Sequence, residues 1–174
     1  MSHTLESFAA RVRETLQKEN NPAGRAKVAA LLREVLVDRP FVESLFDERS
    51  PQRKIVYEDP QLGFCILAHR YTDAKQGPPH DHGSSWAIYG QTDGETLMSD
   101  WLPVGESTPG QPVKATLLRE YKLTPGVARV YNEGDVHAPT RTGPSRLIRI
   151  EGTNLERVAR RTYEPVANQF ETRI

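Results

Sequence analysis

Three histidines have the types and spacing to hold a metal ion. His80 and His82 stand in Gln76-Gly77-Pro78-Pro79-His80-Asp81-His82-Gly83, and His137 in Gly134-Asp135-Val136-His137-Ala138-Pro139. In an extended strand His80 and His82 project to the same side, because side chains alternate with a period of two. One more strand, carrying His137, closes three imidazoles around a single divalent ion. Imidazole suits iron, nickel, copper and zinc, and three protein ligands leave positions free for substrate or oxygen. That is a catalytic arrangement rather than a structural one. His3 and His69 lack such a Gly/Pro frame and read as ordinary polar residues.

Composition narrows what such a site would act on. The chain has 174 residues, enough for one domain with a real core. Lys plus Arg equals Asp plus Glu at 23 each, so no bulk positive field points to nucleic acid and no polybasic run to a membrane. The expected partner is therefore a small molecule. Met1 to Glu6 shows no basic, apolar leader, and no later stretch approaches a membrane span, so the expected location is cytoplasmic. The single cysteine, Cys65, lies in the apolar run Leu62-Gly63-Phe64-Cys65-Ile66-Leu67-Ala68 and reads as a buried structural thiol. The expected assembly is a monomer or a homodimer.

The elements that must position the histidines fall into two blocks, residues 1–50 and 51–174. Leu5, Phe8, Ala9, Val12 and Leu16 recur at helical spacing behind the cap residue Thr4. A second helical face follows at Val28, Leu31, Leu32, Val35 and Leu36, and a short third helix is predicted over 41–46, started by Pro40. From about Arg53 the pattern changes to short β-prone runs at 55–57, 64–68, 86–89, 95–102, 113–123, 127–131, 146–150 and 157–163. Turn residues punctuate them, among them Asp93-Gly94, Pro109-Gly110, Pro125-Gly126 and Gly143-Pro144. Helices first and about eight short strands after predict a mainly β fold, a jelly-roll barrel with an N-terminal helical cap packed into one domain.

With those residues in view, the chain resembles the cupin superfamily, and within it the cysteine dioxygenase type I family of thiol dioxygenases. The likeness is best from Arg53 to about Leu155. Gly77, His80, His82 and Gly94 fit the first cupin motif, and Pro125-Gly126 followed by Glu133-Gly134-Asp135-Val136-His137 fits the second. The acidic ligand of a typical cupin is missing, since Trp86 and Ala87 stand where it would fall. That absence resembles the thiol dioxygenases, whose iron is held by three histidines. The resemblance therefore implies Fe(II) on His80, His82 and His137, a small anionic thiol as substrate, and O2. It also implies an arginine for the substrate carboxylate, and Arg53 falls within about a residue of that place; the planar guanidinium fork matches a carboxylate bidentately. A solvated basic residue at a strand start is the other reading of Arg53.

Two departures bear on the substrate. Where the family carries an outer-sphere His and Tyr two residues apart, this chain has Arg149 and Glu151, in Leu147-Ile148-Arg149-Ile150-Glu151-Gly152. If these face the barrel, they bring an extra cation and an acid to the site, and Arg149 would meet a second negative group on a substrate more acidic than cysteine. If Ile148 and Ile150 face inward instead, Arg149 and Glu151 are merely solvated; a period of two permits either register. Ala87 also replaces the cysteine that some members crosslink to tyrosine. Asp81 reads as a support of the ligands or a turn residue, and Trp86 and Tyr131 as packing. Two other functions compete with thiol oxidation: cleavage of a C–C bond in a β-diketone by the same three-histidine iron, and a non-catalytic cupin that binds a metal or a small acid.

Overall fold

A computed structural model describes residues 3–167; positions 1–2 and 168–174 lie outside the described residues. Three helices come first: α1 (Leu5–Lys18), α2 (Pro22–Leu36) and α3 (Arg39–Leu45). Thr4 caps α1 in a reciprocal box with Ser7, and Asn21 caps α2 through the Gly24 amide. The third helix starts two residues earlier than its apolar pattern, because Asp38 accepts from the Phe41 amide and Pro40 fits its first turn.

Among the described residues ten strands follow: β1 (Arg53–Glu58), β2 (Cys65–Tyr71), β3 (Lys75–Gln76), β4 (Ala87–Asp93), β5 (Thr96–Val104), β6 (Val113–Leu123), β7 (Ala128–Tyr131), β8 (Val136–Arg141), β9 (Ser145–Glu151) and β10 (Tyr163–Val166). They form two five-stranded sheets, ordered β1-β2-β9-β4-β7 and β10-β6-β5-β8-β3. Pairing is antiparallel except for β10 on β6. This is the predicted jelly roll with a helical N-terminus.

One predicted strand is not where the sequence placed it. Residues 157–163 give a 3-10 turn over Leu155–Arg157, an irregular segment, and then β10. Asn154 caps the turn through the Glu156 amide, and the Arg161 amide is taken by Asp81 rather than by a neighbouring strand.

Side-chain alternation decides which residues reach the interior. On β9, Ile148 and Ile150 pack with Ile66, Ala68 and Ile88 beneath the three helices. Leu147, two and four residues before Arg149 and Glu151, packs instead with Tyr89, Met98 and Tyr131 between the sheets. Arg149 and Glu151 therefore face the barrel interior and are buried, at 8% and 1% exposure. Gly90 lets α2 seat this close, since a Cβ there would stand 2.8 Å from Leu32 Cδ2. No helix among the described residues is long and apolar enough to cross a membrane.

Candidate metal centre

The His80–His82 pair does not lie on a continuous strand. Pro78 and Pro79 have no amide hydrogens to donate, and His80 makes only isolated bridges, to His137 on β8 and to Thr162. The amides and carbonyls of His80 and His137 exchange both hydrogen bonds, at 3.0 Å each. His82 then sits in a turn that ends at Gly83, whose φ is +59° and whose Cβ, if present, would lie 2.4 Å from the Ala159 carbonyl oxygen. So a bridge and a turn, not strand alternation, aim the two rings together. The ring centroids of His82 and His80 each lie 4.7 Å from that of His137, and one nitrogen from each ring falls within 4.8 Å of the others.

Asp81 holds this turn. Its Oδ1 accepts from the amides of Gly83 (2.9 Å) and Arg161 (3.0 Å), and its Oδ2 from the Tyr163 hydroxyl (2.9 Å). Burial works against its charge, and these donors outweigh it, holding the carboxyl below its usual value. Asp81→Ala leaves three donors without their acceptor, and affinity for a divalent metal should fall on the order of ten- to a hundredfold. Competition with a chelator measures this. Unchanged affinity would reduce Asp81 to a fold residue.

The protonation states suit a metal. Burial holds all three imidazoles below the ordinary value, His82 and His137 far below, and the positive Arg149 adds to it. The rings are neutral, the form that ligates. His80 donates Nδ1–H to the Pro78 carbonyl at 2.9 Å, which leaves Nε2 with the lone pair. The Nδ1 atoms of His82 and His137 are buried with no hydrogen-bond partner in the protein. Three neutral rings, each with one nitrogen within 4.8 Å of the others, have the geometry to hold a cation.

Other elements fix the rings from behind. Tyr131 stacks on His137 with centroids 4.0 Å apart, and its hydroxyl meets that of Tyr121 at 2.9 Å. The helical cap reaches the second motif through Arg25 on α2, which grips Glu133 at 2.5 and 2.7 Å and lies over Trp86. Trp86 and Tyr131 thus pack, as expected, and Tyr131 packs against a candidate ligand.

A cavity of about 500 Å³ opens onto the histidines at His80 and Tyr89. Its charged lining residues are Lys75, Arg141, Arg149 and Arg160, with no carboxylate among them. Arg149 lies 4.1 Å over the Tyr89 ring and bonds Glu151 at 3.1 Å. Glu151 also takes Arg53 at 2.9 Å and the Leu155 amide at 3.1 Å. Arg53 corrects one expectation: it does not line the cavity, because its guanidinium is engaged by Glu151, Asn154 and Glu156. Arg53 and Glu151 hold Arg149 in place from behind. Cys65 is buried, its thiol pushed up to about 11 by burial and then by Glu58 and Glu151, so it is no nucleophile.

Sequence reasoning missed Tyr89, His69 and Tyr71. The Tyr89 hydroxyl lies 3.2 Å from His82 Nε2 and 3.4 Å from His137 Nε2. His69 is buried beside Arg149 and 3.3 Å from the Tyr71 hydroxyl, and burial, then Arg149, holds it neutral. A His-x-Tyr pair is thus present, on β2 next to β9 rather than on β9. Inward alternation along β2 was the only signal for it.

A two-sheet barrel enclosing a three-histidine cluster sets the architecture. The fold is a two-sheet jelly roll. No family model matches the chain, and no curated protein matches it. Among solved structures it is similar to a conserved protein with a double-stranded β-helix domain from Klebsiella pneumoniae, with TM-score 0.48, 14% identity, and coverage of 71% of this chain and 88% of that one. It is also similar to KdgF from Halomonas sp. (TM-score 0.42, 20% identity, coverage 60% and 83%). A cupin superfamily protein from Desulfitobacterium hafniense gives TM-score 0.42 and 14% identity, with coverage 62% and 83%.

Proposed function

We propose that this protein is a mononuclear non-heme iron dioxygenase that converts a small mercapto-carboxylate to its sulfinate. One observation carries the reading: among the described residues a cluster of three neutral imidazoles holds no carboxylate, and through His80 it meets a cavity whose fixed charges are cationic. Three neutral ligands leave the charge of a divalent ion uncompensated, so an anionic ligand is favoured, strongly so in a low-dielectric barrel. Fe(II) held by His80, His82 and His137 would supply binding positions for a substrate thiolate and for O2. In the net reaction a thiol and O2 give a sulfinate and a proton; the S–H and O–O bonds are lost, two S–O bonds form, and sulfur gives up the four electrons that O2 accepts.

The chain's own groups do the positioning. Arg149 receives the substrate carboxylate, and Glu151 fixes the guanidinium plane for it. Tyr89 keeps its proton, since burial raises its phenol, and so can donate a hydrogen bond beside the histidines. The apolar side chains of Leu147, Met98 and Tyr131 close the barrel behind the site against water.

Oxygen uptake by iron-loaded protein with a panel of small thiols tests this, and mass spectrometry of the product should show a gain of two oxygen atoms. In Arg149→Gln the loss of a charge-assisted contact should lower kcat/KM on the order of ten- to a hundredfold with iron content unchanged. Oxygen uptake with β-diketones and with none of the thiols would overturn the reading in favour of C–C cleavage.

A further inference from the structure

The cavity carries more positive charge than one substrate carboxylate uses. Its cations fall into groups on two different tyrosine rings. Arg149 lies over Tyr89, beside the histidines, whereas Arg141 lies 3.9 Å over Tyr71 with Lys75 5.8 Å from the same ring. Alternation along β8 places Arg141 on the same face as His137, two steps further along the strand, and the segment after the 3-10 turn adds Arg160.

Among the described residues, no carboxylate pairs with Lys75, Arg141 or Arg160. Arg141 is only 5% exposed, its Nε has no hydrogen-bond partner, and burial lowers its pKa from the usual guanidinium value. A buried, unpartnered guanidinium in the wall of a cavity without acids is costly unless an anion arrives to meet it. We infer that Arg141 and Lys75 on Tyr71, with Arg160, form a second anion subsite, so that the substrate is a small mercapto-dicarboxylate: one carboxylate binds Arg149 and the other Arg141. The role of the sulfur rests on the proposed dioxygenase reaction, whereas the subsite needs only the cations.

Calorimetry under nitrogen on iron-loaded protein tests it, with mercaptosuccinate against 3-mercaptopropionate and, as a sulfur-free pair, succinate against propionate. In each pair the dicarboxylate should bind on the order of ten- to a hundredfold tighter, the worth of one charge-assisted contact. Arg141→Gln should bring that ratio to within about threefold of unity. Lys75→Gln, on an exposed strand where folding is not at risk, should also lower it, whereas Lys18→Gln on the outer face of α1 should not. Equal affinity within each pair, or a ratio that survives in both cavity variants, overturns the subsite. Sulfinate formed from 3-mercaptopropionate with no dicarboxylate preference would sink the subsite and leave the proposed reaction standing. Arg141-dependent dicarboxylate binding with no thiol oxidised would do the reverse.

Discussion

Protein purified without added metal should contain one iron per chain, and His80→Ala, His82→Ala and His137→Ala should each lose it. On the proposed reading the three rings are the protein's ligands: their nitrogens cluster within 4.8 Å, and among the described residues no carboxylate joins them. Loss of a residue that merely supports a ligand costs on the order of ten- to a hundredfold in affinity, so removing one of three ligands should cost more and leave iron near background. Elemental analysis reads this directly. His69→Ala is the control, because His69 is buried near Arg149 yet makes no part of the cluster, so its iron should stay. Full occupancy in any one of the three variants would remove that histidine from the centre.

Glu151→Gln should produce the largest loss of stability. The carboxylate is 1% exposed and lies between two guanidiniums, Arg53 at 2.9 Å and Arg149 at 3.1 Å, while also accepting the Leu155 amide. Neutralising it leaves two buried or half-buried cations facing each other. Breaking such a pair from one side costs about 3–5 kcal/mol, which for a chain of this size lowers the melting temperature by roughly 10 °C. Adding Arg149→Gln should recover part of the loss, since the second change removes the cation left unpaired. Strictly additive losses in the double variant would mean that Glu151 and Arg149 are not coupled. If Glu151→Gln melts like the parent, the carboxylate is not what holds Arg149 over Tyr89.

The three histidines and the jelly roll with its helical cap could be read from the residues because both rest on local signals. Helical spacing behind Thr4 and Asn21, β-prone runs between Gly/Pro turns, and two His segments framed by Gly and Pro need no knowledge of distant contacts. Even the convergence of the histidines was legible, although by another route: Pro78 and Pro79 break the strand, and a bridge to His137 and the Asp81-held turn bring the rings together. Tertiary structure alone decided the rest. Alternation along 147–151 was equally compatible with Ile148 and Ile150 inside or outside, and the choice fell when the helices offered those isoleucines an apolar surface. That choice turned Arg149 and Glu151 inward. Arg53 stood at the right place in the chain to meet a substrate, but Glu151, 98 positions away, claims it. Tyr89, Tyr71, His69 and Arg141 carry no local mark of function, because what makes them part of the site is the other sheet, or the neighbouring strand, closing over them.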